Sequence, residues 1–326
     1  MNTKPKILIT GANGYIGYCL FKFLKKKFYV KGIDLKNNLN QEVFKCDLLN
    51  LKKFDKFLAQ TKPDFIIHLA AQSLVDETIN KKKYYRNNVL LTKNLIDLMK
   101  KNNVKNIIFS SSASVYKKNT KPLKENSNLK PLSYYAKTKL ICEKKIKKEK
   151  NLNSVILRFF NVCSALTNPI LGEFHNPETH LIPTIVYKSL RKQKIFIYGK
   201  KFDTADGTCI RDYIHIKDIC IAIEKSLRFL IKDKKSLVLN IGNSKGYSNL
   251  EIVKFVEKKL KRKIDIEFVK QRKGDVAKLI CNSNKALSQI FWKPQNSNIE
   301  KIIEDEISWV KKLNKDRRIR RFKSYT

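Results

Sequence analysis

The order of apolar segments in this 326-residue chain predicts an α/β fold: a doubly wound parallel sheet followed by a smaller α/β lobe. Three observations carry that expectation. Short apolar runs alternate with lysine-rich helical stretches through the first half. A glycine-rich turn separates the first run from the first helix. Past residue 160 the alternation loosens, with Pro169, Pro177 and Pro183 marking irregular connections.

Lys6-Ile7-Leu8-Ile9-Thr10 reads as a buried parallel strand. The turn Gly11-Ala12-Asn13-Gly14-Tyr15-Ile16-Gly17 follows, and then Tyr18 to Lys27, with Leu20, Phe21 and Leu24 at helical spacing. Strand, glycine turn and helix in that order make a Rossmann-type dinucleotide fingerprint. Gly11, Gly14 and Gly17 let the backbone approach a pyrophosphate, whose charge is met by the helix N-terminus. The second strand, 28–33, ends at Asp34. A carboxylate there can accept from adenosine ribose hydroxyls and repels a 2′-phosphate, which favours NAD over NADP; Lys36 nearby acts against that discrimination. Further strands are expected at 64–69, 106–111 and 154–159, then near 195–198, 237–241 and 265–269. Helical segments are expected near 181–192, 217–231, 248–261 and 300–314. There is no internal repeat.

Composition excludes several classes. With 42% hydrophobic residues the chain can bury a large core, as one big domain or two modest ones. Its apolar runs are short and broken by lysine, so no span of about 20 apolar residues is present, and no signal-peptide pattern precedes the glycine turn. Seven scattered cysteines without a Cys-x-x-Cys pair indicate a reduced, cytoplasmic setting, with neither a disulfide framework nor a zinc site; the four histidines form no metal-ligand pattern. The net charge of +40 is nearly all lysine, spread along the chain among many Asn and Ile. These residues share A/T-rich codons, so codon bias explains the charge more simply than nucleic-acid binding, which concentrates arginine on one face. The stretch Lys311 to Lys323 reads as a solvated basic tail.

Tyr135 and Lys139 stand four apart in Ser133-Tyr134-Tyr135-Ala136-Lys137-Thr138-Lys139, which stacks a phenol and an ammonium on one helix face. A lone phenol titrates near pH 10, too high for a base at neutral pH. A neighbouring lysine cation favours the phenolate, and a bound nicotinamide cation adds to that effect.

With these motifs the chain resembles the extended short-chain dehydrogenase/reductases, and most closely their UDP-glucose 4-epimerase (UDP-galactose 4-epimerase) family, from about residue 5 to residue 312. The superfamily motifs are Gly11-x-x-Gly14-x-x-Gly17, Asp47-Leu48, His68-Leu69-Ala70-Ala71, Asn87-Asn88-Val89, Phe109 to Tyr116 and Tyr135-x-x-x-Lys139. More specific to the epimerase branch are Leu157-Arg158-Phe159-Phe160-Asn161, Glu178-Thr179-His180-Leu181-Ile182-Pro183, and Asp206 to His215.

The resemblance implies an isomerase that inverts C4 of a UDP-hexose through a transient 4-keto sugar. Tyr135 would exchange the proton of the 4-hydroxyl, Ser112 would bond the 4-oxygen, and Lys139 would lower the phenol pKa and hold the nicotinamide ribose. The cofactor set adds Gly11, Gly14, Tyr15, Ile16, Gly17 and Asp34, with Asp47 and Leu48 at the adenine and Leu69, Ala70 and Ala71 on the phosphate side. Asn87 would contact the cofactor, although it also suits a turn or helix cap. Phe159 would lie beside the nicotinamide, where tyrosine is common. His68 reads as a satisfied core histidine. For the substrate, Asn161, Arg211 and Arg272 would meet the diphosphate, Asp275 the uridine ribose, Tyr198 the uracil, and His180 and Leu181 the uracil and ribose. Residues 1–160 would be the NAD-binding domain, with later segments crossing back, 161–314 mainly the nucleotide-sugar lobe, and 315–326 the tail. A homodimer is implied, and no metal.

Two departures stand out. Asn161-Val162-Cys163-Ser164-Ala165-Leu166 replaces a commoner Asn-Pro-x-Gly-Ala pattern, which can alter the backbone beside the diphosphate. Leu279 lies where the family sets pocket size and, as an intermediate residue, leaves N-acetylated sugars open; epimerases of UDP-GlcNAc, UDP-arabinose and UDP-glucuronate use the same machinery and stay open as alternatives. Ser112-Ala113-Ser114 lacks the acids of a nucleotide-sugar dehydratase or uronate decarboxylase. An intact Ser112, Tyr135 and Lys139 argue against a silent NAD-binding protein.

Overall fold

The computed structural model describes residues 4–35, 42–74, 80–117, 119–173, 178–272 and 274–315. Lys36 and all of the basic tail from residue 316 lie outside them. The first half comprises β1 (Lys6–Thr10), α1 (Tyr15–Leu24), β2 (Tyr29–Asp34), β3 (Val43–Lys45), α2 (Leu51–Thr61), β4 (Phe65–His68) and α3 (Lys81–Tyr84). A π-helical turn, Tyr85–Leu90, joins α3 to α4 (Leu91–Lys101), and β5 (Asn106–Ser112), α5 (Tyr134–Lys148) and β6 (Asn153–Phe159) complete it. The second half begins with β7 (Asn161–Cys163), β8 (Ala165–Thr167), β9 (Ile170–Gly172), α6 (Leu181–Leu190), β10 (Ile195–Tyr198), β11 (Ile210–His215) and α7 (Ile216–Asp233). It continues through β12 (Leu237–Ile241), β13 (Gly246–Ser248), α8 (Asn249–Leu260), β14 (Ile266–Val269), β15 (Lys278–Leu279), α9 (Asn284–Ile290) and α10 (Ile299–Lys315).

Seven strands form one parallel sheet in the order β12-β6-β5-β4-β1-β2-β3. The chain reverses direction across the sheet between β1 and β4, which is where such sheets open a crevice for ligands. Alternating strand side chains feed two cores. Ile7, Ile9, Ile67, Ile108, Val155 and Leu157 pack under α1 and α7, whereas Leu8, Ile66, Ile107, Phe109 and Ile156 pack under α2, α4 and α5. Both faces are thus covered, which explains why the strands read as near-continuous apolar runs. The seventh strand, β12, comes from the second half, as does α7.

A third core joins α6, α8 and α10 to the parallel pair β10–β14. Between this lobe and the main sheet, β11 pairs with β7, β13 and β15. The apolar-run criterion misses β11 because it is Ile-Arg-Asp-Tyr-Ile-His. Its Asp212 is fully buried and accepts backbone N–H groups of Asn243 (2.7 Å), Ser244 (2.8 Å) and Cys281 (3.0 Å). The fold therefore satisfies a charge that the residue pattern alone would place in water. Helix α1 begins at Tyr15 rather than Tyr18, because Gly14 is its extended N-cap and Gly17 lies inside the first turns.

Candidate active site

The glycine turn is shaped by close approach. Gly11 sits at φ +71°, and a Cβ there would lie 2.7 Å from the Ala70 nitrogen. A Cβ on Gly17 would lie 2.0 Å from the Gly11 oxygen. The loop after β4 is thereby pressed against the turn, with Ala70 N–H donating to Thr10 Oγ1 at 3.3 Å. Leu69, Ala70, Gly11, Gly14 and Asp34 all lie at the C-terminal ends of β1, β2 and β4. The Asp34 carboxylate accepts the Asn13 N–H at 2.9 Å, which ties the end of β2 to the turn. Ile16 packs on the core below. Tyr15 points away, its hydroxyl donating to the Ser164 carbonyl at 2.6 Å. Burial and the nearby Glu173 and Glu306 hold that phenol far above its usual range. Farther along the crevice, Asp47 caps the following turn through Leu49 N–H at 2.9 Å, and Leu48 is buried.

The catalytic candidates converge at the end of β5. Ser133 caps α5 by accepting the Ala136 N–H at 3.1 Å, which starts the helix one residue before Tyr135. The Ser112 hydroxyl lies near enough to the Tyr135 phenol to favour its ionised form. Ser114 orients Ser112 by donating from both its hydroxyl (2.9 Å) and its backbone (3.2 Å). Lys139, one turn further and 3% exposed, donates to the Ser110 carbonyl at 2.8 Å. Its Nζ lies 5.0 Å from the Phe109 ring centroid and 5.9 Å from that of Tyr135. Ala71 belongs to the loop that leads from β4 towards this helix. Phe159 is buried and stands directly beside Ser112 in the β5–β6 register.

One expectation requires correction. The spacing of Tyr135 and Lys139 suggested a phenol made acidic by the lysine. Burial instead raises Tyr135 to about 12, and the group opposing that rise is the Ser112 hydroxyl. The ammonium itself is lowered to about 8 by burial. The two groups share a face, but one of the three ammonium N–H donors is held by the strand, at the Ser110 carbonyl.

Asn87 is half-buried in the π-helical turn. Its neighbour Asn88 is the structural residue: it bridges Gln72 (2.7 Å from the backbone N–H) to Thr138 (2.9 Å) and so fastens the loop after β4 to α5. His68 is buried between Thr10 (2.7 Å) and Thr92 (3.1 Å) and is lowered to about 3, a neutral core histidine as expected.

The substrate candidates form two groups. Asn161 donates to the Asp212 carbonyl at 3.1 Å, and Arg211 pairs with Asp275 at 3.4 Å while donating to the Val276 (2.7 Å) and Ile210 (3.0 Å) carbonyls. The Arg272 guanidinium stacks 3.8 Å above the Tyr198 ring. Leu279 faces Arg211 in the β11–β15 register. His180 N-caps α6, which Leu181 begins, and its Nδ1 lies 2.7 Å from Glu173 Oε1. Together with Glu178 these two bring ligand atoms within 4.8 Å of one another, a grouping that residue spacing did not reveal. Hydrogen bonds account for it: the Glu178 carboxylate accepts the Thr179 and His180 N–H groups, both at 2.9 Å.

Ser164, in the place of a commoner glycine, adopts that residue's left-handed conformation, φ +75°. It is held by its hydroxyl donating to the Ile302 carbonyl at 2.9 Å and by the Tyr15 contact.

Comparison with known proteins fits this geometry. Residues 7–242 match the profile of the NAD dependent epimerase/dehydratase family. The chain is 35% identical over 324 residues to a UDP-glucose 4-epimerase from Lactobacillus helveticus, covering 94% of this chain and 97% of that one. A UDP-glucose 4-epimerase from Brucella ovis, solved in complex with NAD, superposes with a TM-score of 0.88 at 30% identity, covering 93% and 98% of the two chains. A UDP-glucose 4-epimerase from Stenotrophomonas maltophila, solved with NAD and formylated UDP-arabinopyranose, gives 0.90 at 25% identity, covering 95% and 99%.

Proposed function

The chain belongs to the NAD dependent epimerase/dehydratase family, and from that premise we propose that it inverts C4 of a UDP-hexose, interconverting UDP-glucose and UDP-galactose. The observation that carries this reading is the convergence of the Ser112 hydroxyl and the buried Tyr135 phenol at the end of β5, with Lys139 buried one turn behind them. The residues present fit NAD. Among the described residues no side chain caps the N-terminus of α1, and no acid stands in its first turn, which suits a pyrophosphate at its N–H groups. A Cβ on Gly14 would meet only the Gly11 oxygen, at 3.4 Å, so that side of the turn is clear. Asp34 lies where an adenosine ribose would be held. When bound, NAD supplies the acceptor, and then the donor, of the hydrogen at sugar C4.

The protein's own residues do the rest. Tyr135 takes the proton of the 4-hydroxyl as the ketone forms and returns it as the alcohol is restored, so one group serves as base and acid in turn. Ser112 holds the 4-oxygen within reach of that phenol. Lys139, anchored on Ser110, provides fixed positive charge beneath both. Arg211, Arg272 and Asn161 grip the diphosphate, where planar guanidinium forks suit paired phosphate oxygens. Three of the five Arg211 N–H groups have protein acceptors among the described residues, which leaves two for phosphate. Asp275 accepts from the uridine ribose, Tyr198 covers the uracil, and His180 and Leu181 flank the nucleoside.

We also propose a second copy of the chain as partner. The exposed apolar side chains of Tyr85, Leu90 and Ile141 lie on the helical segments that pack together beside the sheet. Among the described residues no helix is long and apolar enough to cross a membrane. All seven cysteines are free and buried, which suits a reducing compartment such as the cytoplasm. Incubating the purified protein with UDP-galactose, UDP-glucose, UDP-GlcNAc, UDP-arabinose and UDP-glucuronate, and resolving the products by NMR, tests the assignment. Inversion at C4 of a hexose is expected; retention of configuration in every sugar would sink it.

A further inference from the structure

Beneath the catalytic candidates runs one continuous chain of buried polar groups. Glu143 follows Lys139 by one turn on α5, as Lys139 follows Tyr135, and it is completely buried. Its carboxylate accepts Arg158 Nε at 2.9 Å and Nη2 at 2.6 Å, a two-point grip across to β6. The same carboxylate accepts the Ser111 hydroxyl at 2.5 Å, one residue before Ser112 on β5. Arg158, 1% exposed, donates its remaining Nη1 to the Tyr116 hydroxyl (2.8 Å) and the Glu125 carbonyl (3.1 Å). Tyr116 donates to Asn240 Oδ1 at 2.6 Å, and Asn240 donates to the Leu123 carbonyl at 2.9 Å. Helix α5, strands β5, β6 and β12, and the stretch that holds Tyr116, Leu123 and Glu125 are therefore joined around one ion pair. An apolar pair of equal volume would serve folding as well, because desolvating two charges consumes most of their attraction.

We propose that the Glu143–Arg158 pair is the positioning element of the reaction, locking α5 against β5 so that Tyr135, Lys139 and Ser112 hold one geometry. This rests on the epimerase assignment only for its kinetic consequences. Charged and titratable groups face Lys139 from every side. Tyr135, Cys142 and Glu143 share its helix, and Arg158 lies on β6. His68 approaches from β4, and Tyr84 on α3 faces Tyr135. Lys147, half exposed, reaches Glu143 at 3.8 Å from the solvent side. Glu143 is the carboxylate of this set and favours the charged lysine, so its loss should weaken the hold of Lys139 on its proton.

The test is Glu143→Gln beside wild type. The variant is expected to keep its NAD and a KM for UDP-galactose within about threefold, while kcat falls by at least about tenfold and its alkaline decline moves to lower pH. A purely structural role would scale kcat without moving that decline. Glu143→Asp, which keeps the charge but cannot span the grip, should lose kcat and retain the wild-type decline. If Glu143→Gln does not fold, Glu143→Met with Arg158→Leu leaves neither charge stranded and should move the decline in the same direction by less, because the Arg158 cation is removed as well. A folded, NAD-loaded variant with wild-type kcat and pH profile would overturn the proposal. Should wild type itself leave UDP-galactose unchanged, the assignment above fails separately. Hydrogen exchange then decides: faster exchange in residues 119–125 and 134–142 of the double variant supports the positioning role, and unchanged protection refutes it.

Discussion

Lys139 and Tyr135 stand one helical turn apart with the ammonium 5.9 Å from the phenol ring centroid, yet the lysine donates a hydrogen bond to the Ser110 carbonyl at 2.8 Å. That arrangement fixes the cation on the sheet and leaves the phenol to Ser112. Burial disfavours ionisation of both, raising Tyr135 to about 12 and lowering Lys139 to about 8. A phenol so placed holds its proton firmly and becomes a working base only when more positive charge arrives beside it. Proton abstraction would thus be coupled to a fully assembled complex.

Tyr135→Phe should therefore lose most turnover while keeping the cofactor. Removing the hydroxyl takes away the proton acceptor and the neighbour of Ser112, but no hydrogen bond that holds Lys139 or the glycine turn. A fall of about 10²- to 10⁴-fold in kcat is expected, with NAD content, read by absorbance after denaturation, unchanged. Near-normal turnover would remove Tyr135 from its role.

The glycine turn and the Tyr135–Lys139 spacing were legible in the residues because each is local: a strand, a turn and a helix, or two positions on one helix face. His68 was legible as a core residue because its strand is apolar on both sides. The Glu143–Arg158–Ser111 junction was not, since its members come from α5, β6 and β5 and meet only once the sheet forms. Nor was β11, whose Asp212 and His215 look solvent-seeking until Asn243, Ser244, Cys281 and Asp305 supply their partners. The direction of the Tyr135 shift failed for the same reason. Spacing reports which charges are near, whereas desolvation depends on everything packed around them.

Arg211→Ala should weaken UDP binding without loosening NAD. Two charge-assisted hydrogen bonds to phosphate are worth roughly 1.5–3 kcal/mol each, so a drop in affinity of at least about tenfold is expected by calorimetry. Some stability should be lost as well, because the Val276 and Ile210 carbonyls lose their donor, whereas Asp275, 29% exposed, can turn to solvent. Unchanged UDP affinity would count against the diphosphate assignment.

Ser164 is fully buried at φ +75°, which costs a non-glycine residue on the order of 1 kcal/mol. Its hydroxyl bond to the Ile302 carbonyl returns a similar amount, about 1 kcal/mol. Ser164→Gly exchanges one for the other and should stay within about 1 kcal/mol of wild type, whereas Ser164→Ala keeps the strain, loses the bond and should be the least stable of the three. Urea denaturation ranks them, and alanine equal to glycine would show that the strain is absent.

Opposite pH dependences should be separable at His68 and Asp212. His68 is lowered to about 3 in the fold against 6.5 in an unfolded chain, so between those values the unfolded state binds more protons. Its contribution to stability is complete above pH 6.5 and is lost as pH falls towards 3. Asp212 is raised to about 7 against an ordinary 3.8, so between those values the folded state binds more protons. Its contribution is complete below pH 3.8 and is lost as pH rises through 7. Each has a limiting slope of about 1.4 kcal/mol per pH unit, opposed in sign across pH 4 to 6.5. Relative to wild type, His68→Gln, whose amide can still meet Thr10 and Thr92, should appear increasingly destabilised as pH rises through that window. Asp212→Asn should appear progressively less destabilised. Chemical denaturation at half-unit steps from pH 4 to 7 measures both, and variant curves parallel to that of wild type would mean that neither group changes its proton affinity on folding.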